Sequence, residues 1–143
     1  MEWAAELKLD RQDPHQLLLR EVCSFIEGNL WDPALNPGQI ARAHFVSVRH
    51  LHSLFSEQGI TVSDWIRKRR LEECRNDLSS PVFSQEPVAN IALRHGFLDA
   101  AHFSRLFRRT FGETPSGFRA RIASTWAPEA GAPGGDNGDA AAE

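Results

Sequence analysis

Two stretches of this chain set arginine among side chains too short to hide it. One is Ser47-Val48-Arg49-His50-Leu51-His52-Ser53-Leu54-Phe55-Ser56. The other is Ala100-Ala101-His102-Phe103-Ser104-Arg105-Leu106-Phe107-Arg108-Arg109. A guanidinium is a planar fork of donors that fits guanine O6 and N7, or two phosphate oxygens, and neighbouring Ala or Ser lets a flat partner come close. Other chemistry has less support. His50 and His52 would sit about 200° apart on a helix and cannot converge on one metal ion, unlike an i,i+4 pair. His44 and His95 take matching positions at two helix ends, and His15 falls at a helix start. Cys23 and Cys74 have no CxxC or disulfide-framework spacing and lie on apolar stripes, where a thiol acts as a small hydrophobe. No catalytic residue, metal site or cofactor is expected.

The elements that must hold these stretches read as helical throughout. Asp13-Pro14, Asn36-Pro37 and Thr114-Pro115 each put proline after a capping residue, Pro87 follows Glu86 likewise, and Gly59, Gly96 and Gly112 close apolar periodic segments. Proline at a first helical position lacks only an N–H that would be unsatisfied anyway, and glycine suits a left-handed C-terminal residue. Seven helices are expected, at about 13–30, 37–44, 47–58, 61–78, 87–95, 99–111 and 114–123, giving an all-α fold. In the fourth, Trp65, Ile66, Leu71, Cys74 and Leu78 form an apolar stripe beneath Arg67-Lys68-Arg69-Arg70, expected to be exposed.

Segments 37–65 and 87–118 repeat one another. Ile40-Ala41 and His44 match Ile91-Ala92 and His95 at an offset of 51 residues. Leu51, Leu54 and Phe55 match Phe103, Leu106 and Phe107 at 52, and Gly59, Thr61, Ser63 and Trp65 match Gly112, Thr114, Ser116 and Phe118 at 53. The offset grows only at turns, as expected for two copies of one short helix, turn and second helix. Each copy reads as a helix-turn-helix, with the turn at Phe45-Val46 or Gly96-Phe97 leading to a cap at Ser47 or Asp99. Helical projection puts Leu51, Leu54 and Phe55 inside the first copy, with Arg49, Ser53 and Ser56 outside and His52 beside them. In the second it puts Phe103, Leu106, Phe107 and Thr110 inside, Ala101, Arg105 and Arg108 outside, and Ser104 and Arg109 on the flanks.

A net charge of −3 over 143 residues conceals a segregation. Residues 1–37 carry −4, residues 38–122 carry +5 and the remainder carries −4, so the basic middle suits a polyanion although the average does not. Arginine outnumbers lysine 14 to 2. No run approaches the roughly 18 apolar residues of a membrane span, and MEWAAELKLD lacks the apolar core of a secretory signal. A cytoplasmic, nucleoid-associated protein with no membrane partner is expected. Residues 1–12 read as a linker or the remnant of an upstream region, and 124–143, rich in Gly, Pro, Ala and Asp, as a disordered tail.

The stretch from Ile91 to Arg119 resembles the signature of the AraC/XylS family of bacterial transcription regulators. The matching elements are Ile91-Ala92, Gly96-Phe97, Phe103-Ser104-Arg105, Phe107-Arg108-Arg109, Phe111-Gly112, Thr114-Pro115 and Phe118-Arg119. Val46 to Phe55, and Trp65-Ile66-Arg67 with Arg70-Leu71, are similar to the family's first unit and connecting helix. The resemblance covers about Asp13 to Ile122. It implies two helix-turn-helix subdomains, about 37–59 and 87–112, joined by a long linker helix at about 61–78 within a domain spanning 13–123. It also implies sequence-specific binding of double-stranded operator or promoter DNA, with helices 47–58 and 99–111 entering successive major grooves. Arg49, His52 and Ser53, and Ala100, Ala101, His102 and Arg105, are implied to face bases. Ser47, Ser56, Arg67, Ser104, Arg108 and Arg109 are expected on phosphates. Ala100 and Ala101 can touch only methyl groups such as that of thymine, so the second reader relies more on Arg105 and on DNA shape.

The family's usual ligand-sensing or dimerisation domain does not fit in this length. The chain is therefore expected to be either a stand-alone regulator or, as its linker-like acidic first dozen residues favour, the DNA-binding part of a longer one, with any dimerisation through an upstream domain and RNA polymerase as a further partner. The alternative is an α-helical interaction module whose arginines bind an acidic protein. Dependence of binding on duplex sequence separates the two.

Overall fold

The computed structural model describes residues 13–131, in which seven α-helices and one 3-10 turn follow one another with no strand. They are α1 (Pro14–Asn29), α2 (Pro37–Ala43), α3 (Val48–Ser56), α4 (Val62–Leu78), the turn Pro81–Phe83, α5 (Val88–Arg94), α6 (Ala100–Phe111) and α7 (Pro115–Gly131). None of these helices is long and apolar enough to cross a membrane. The starts are set by side-chain caps that satisfy otherwise orphaned N–H groups. Asp13 accepts from the His15 N–H at 2.9 Å, Asn36 from Gln39 at 2.9 Å and Thr61 from Asp64 at 3.0 Å. The 3-10 turn, absent from the periodicity analysis, is capped in the same way by Ser80 ahead of Pro81.

Two compact units result. The first holds the residues up to Glu73 together with Leu93–Leu98, and the second holds Cys74–Ala92 with the residues from Asp99 onward. Two of the three boundaries fall inside helices, α4 and α5, and the third falls in the turn between α5 and α6. In the first unit Leu19, Val22, Cys23 and Ile26 of α1 meet Ile40 and Ala41 of α2, Leu51, Leu54 and Phe55 of α3, and Val62, Trp65 and Ile66 of α4. In the second, Cys74, Leu78, Ile91, Ala92, Phe103, Phe107 and Phe118 are buried. The alanines of the repeated Ile-Ala pairs are 2% and 0% exposed, so each short helix packs through its smallest side chain.

The arginine run of α4 is not the uniformly exposed surface its sequence suggested. Arg69 lies on the same face as Val62, Trp65 and Ile66 and is 8% exposed. It grips Glu27 of α1 with two nitrogens at 2.7 and 2.9 Å and also bonds Glu72 and Glu73. Burial opposes its charge, but the hydrogen bonds to Glu27 and Glu72 outweigh that and raise its pKa. Arg70 donates to the Leu30 and Asp32 carbonyls at 3.0 and 2.6 Å. These two arginines tie helices together, and only Arg67 of the three arginines in the run is exposed. The Cys23 thiol is pushed up to about 12 by burial and by the charge of Glu27, which removes it as a nucleophile at neutral pH.

At the other end, the backbone of α7 continues to Gly131, beyond the position where the composition suggested disorder. A capped and packed first turn supplies the nucleus, after which each further residue adds one hydrogen bond. The linker expected at 1–12 and the tail beyond 131 lie outside the described residues.

Gly96 has φ +92°, and a Cβ there would come within 2.7 Å of the Leu30 carbonyl oxygen. Gly96→Ala is expected to lower stability by roughly 1–3 kcal/mol in urea unfolding, because neither the left-handed backbone nor that carbonyl can yield cheaply. Glu72 is a pH probe. Burial raises its pKa, but Lys68 and Arg69 lower it further, so the folded value lies below the ordinary one. Its contribution is present above the unfolded value of about 4.3 and is lost as pH falls through the lower folded value. Glu72→Gln should therefore flatten the acid limb of melting temperature against pH, relative to the parent.

Candidate nucleic-acid interface

Some arginines of the described chain are committed to the fold and others are not. Arg69 and Arg70 are committed to the fold as above. Arg75 lies over the Phe111 ring at 4.4 Å, Arg119 donates to the Glu86 carbonyl and Arg121 pairs with Glu113 at 2.7 Å. Arg49, Arg105, Arg108 and Arg109 make no hydrogen bond or ion pair among the described residues, and all four are exposed on the outer faces of α3 and α6. These four retain their full donor set for an external acceptor.

In the first unit, the backbone leaves α2 at His44, crosses Phe45 with φ +58° and is pulled back by a Val46 N–H bond to the Ala41 carbonyl at 3.0 Å. Ser47 then caps α3 by accepting from the His50 N–H at 3.0 Å. That turn fixes the direction in which α3 emerges. With Leu51, Leu54 and Phe55 buried, Arg49, His52, Ser53 and Ser56 all face solvent. Between Pro33 and Ser56 there is no aspartate or glutamate, so the chain segment that carries this face adds no negative charge of its own. His52 and Ser56 also line an open cleft of about 480 Å³ with Gly59, Ile60, Thr61 and Asp64. Arg67, expected on a phosphate, is exposed but holds Asp64 at 2.8 Å, so its charge is locally balanced.

In the second unit, Asp99 caps α6 by accepting from the His102 N–H at 3.1 Å. That backbone bond, a second from Ala101 and the nearby charge of Arg105 hold its carboxyl below the usual range despite some desolvation. Phe103, Leu106 and Phe107 are buried. Ala100, Ala101, His102, Arg105, Arg108 and Arg109 are exposed and Ser104 is half-buried. Thr110 corrects the projection, since it is exposed and not inside. It is the last residue but one of α6, which Gly112 ends with φ +85°. Phe111 turns inward instead, its ring 4.7 Å from that of Phe107.

Each unit, taken alone, thus gathers most of its sequence-expected contact residues on one helix and its cap, with Arg67 standing apart on α4 and Ser104 half-buried. Sequence reasoning put Phe45 in the turn but missed its left-handed backbone. The repeat held the signal, because a bulky residue stands opposite Gly96 at a position that demands a left-handed backbone. Among the described residues, no group of three or more His, Cys, Asp and Glu is placed to hold a metal ion.

Comparison with known proteins agrees with this geometry. The family model of a helix-turn-helix domain matches residues 40–121. Over 109 residues the chain is 41% identical to the transcriptional activator NphR of Rhodococcus sp, an alignment spanning 74% of this chain and 32% of that protein. Over 103 residues it is 33% identical to the arabinose operon regulatory protein of Escherichia coli (strain K12), covering 71% of this chain and 34% of the relative. It therefore spans about a third of the length of these two relatives. A solved transcriptional regulator from Chromobacterium violaceum, of the proteins containing an AraC-type DNA-binding domain, matches with a TM-score of 0.69 at 33% identity. That match covers 76% of this chain and 94% of the other.

The two serines on these faces separate folding from contact. Ser47→Ala removes a cap and should cost about 0.5–2 kcal/mol in chemical denaturation. Ser104→Ala removes no hydrogen bond within the described residues and should leave stability within about 0.5 kcal/mol.

Proposed function

The chain belongs to the AraC/XylS family of helix-turn-helix regulators, and on that premise we propose that it reads an asymmetric duplex site with α3 and α6 in successive major grooves. The observation that carries this reading is the set of exposed arginines on the two outer faces, Arg49 on one and Arg105, Arg108 and Arg109 on the other, none of which makes a hydrogen bond or ion pair among the described residues. Arg49, His52 and Ser53, with Ala100, Ala101, His102 and Arg105, are proposed to contact base edges. Ser47, Ser56, Arg67, Ser104, Arg108 and Arg109 are proposed to hold phosphates, Arg67 by exchanging Asp64 for a phosphate oxygen. Phosphate contacts supply most of the affinity and the outer helix faces supply sequence choice.

Its relatives are named as an activator and an operon regulator, and control of transcription is the matching role here. We place the protein in the cytoplasm at the nucleoid, acting by binding and not by catalysis. RNA polymerase is a further partner, and any dimerisation runs through a region upstream of this domain. The domain proposed for DNA binding spans 13–123, with its two readers at about 37–59 and 87–112.

The test is selection of bound oligonucleotides from a random duplex pool, followed by footprinting. The selected site should bind roughly 10³-fold or more better than scrambled duplex at physiological salt. On that site, Arg105→Ala should cost about 1–3 kcal/mol and relax preference at one base pair, and Arg49→Ala should do so at a different one. Uniform weakening on all sequences would assign the substituted arginine to a phosphate, and relaxation of the same base pair by both would refute the two-groove arrangement.

A further inference from the structure

Phe45 is 96% exposed, the most exposed of the large apolar side chains among the described residues. Its backbone has φ +58°, a conformation that side-chain-bearing residues adopt at a cost and glycine adopts freely. The repeat places Gly96 at the equivalent position. There glycine is obligatory, because a Cβ would strike the Leu30 carbonyl. Around Phe45 the space is open, so a side chain is admitted, but nothing in the described structure touches the ring in a hydrogen-bonded, aromatic or cation-π contact. The fold gains nothing from this phenylalanine that glycine would not give it more cheaply.

The position of the ring indicates its partner. Phe45 stands two residues before the Ser47 cap, at the end of α3 that leads a reading helix into a groove. Val48, the first residue of α3, is also exposed, at 41%. The surroundings are cationic, with Arg42 and Arg49 exposed and no acidic residue from Pro33 to Ser56. A surface that is apolar at one point and basic around it matches duplex DNA, where thymine methyls and deoxyribose edges lie within a row of phosphates. We propose that Phe45 is a DNA-contacting residue, pressing its ring on an apolar group of the duplex at the entry edge of the first reader. This rests on the DNA-binding reading above and adds to it a contact that uses neither a charge nor a hydrogen bond.

The experiment compares the full chain with its Phe45→Gly and Phe45→Leu variants on the selected duplex. Phe45→Gly should melt at or above the parent temperature, because glycine relieves the left-handed backbone. It should nevertheless bind about four- to tenfold more weakly, as expected for losing one buried apolar contact. Phe45→Leu should keep most of the affinity. The slope of log affinity against log salt should not change, since no phosphate contact is lost. Replacing thymidines one at a time by deoxyuridine locates the contact. One position that weakens the parent but not Phe45→Gly identifies a thymine methyl, and no such position identifies a sugar edge. Either result supports the assignment. Unchanged affinity of Phe45→Gly, with Arg49→Ala weakened on the same duplex, overturns it and turns the ring toward a protein partner. If the parent prefers no duplex over scrambled DNA, the underlying reading fails instead.

Discussion

Helices of two turns do not stand alone in water, because too few hydrogen bonds follow the costly first turn. Both α2 and α5 have only seven residues, and both lead directly into a helix with exposed arginine on its outer face. Each therefore exists only through its packing, by an isoleucine that is fully buried and an alanine that permits close approach. Ile40 and Ala41 do this in the first unit, and Ile91 and Ala92 in the second. The direction of the following helix is a consequence of that contact and of the tight turn after it. A larger residue in place of either alanine would tilt α3 or α6 before it reached the surface.

On this scaffold arginine does two unlike jobs. Where a guanidinium lies on a buried face it must find enough acceptors to offset lost hydration, and Arg69 finds three carboxylates. Arg70 finds two carbonyls, and Arg119 also bonds backbone carbonyls. Where a guanidinium lies on an outer face, a carboxylate partner would compete with an external anion. The stretches 33–56 and 100–112 contain no aspartate or glutamate. Asp99 and Glu113 stand just outside the second stretch, one capping α6 through its backbone and the other held by Arg121. The modest net charge of the chain hides this division because it averages over both jobs.

The turns show the same economy with less symmetry. Gly59, Gly96 and Gly112 all take left-handed backbone, but only at Gly96 does packing forbid a side chain. Phe45 occupies the corresponding place in the first copy with its ring in solvent. Two copies of one supersecondary unit thus share core, caps and backbone path and differ in what their turns expose.

Local chemistry was enough to read the helices from the sequence. A capping side chain with proline after it, a glycine at the far end and an apolar residue every third or fourth position act within a turn or two of chain, and helix starts need little else. The duplication added what one copy could not, since matched cores and caps identify which faces are inside. The same projection placed Arg49, Ser53, Arg105 and Arg108 outside correctly. It failed at Thr110, where the end of a helix frees a position that an infinite helix would bury. It also failed at Arg69, because a hydrophobicity scale gives a buried cation no route to the interior. Only the tertiary structure brings Glu27 from another helix, 42 residues away in sequence, to make that burial tolerable. Caps and periodicity are interactions between near neighbours, and the sequence states them. Compensation of a buried charge, and the open space around Phe45, depend on segments far apart along the chain, and those are decided only when the chain folds.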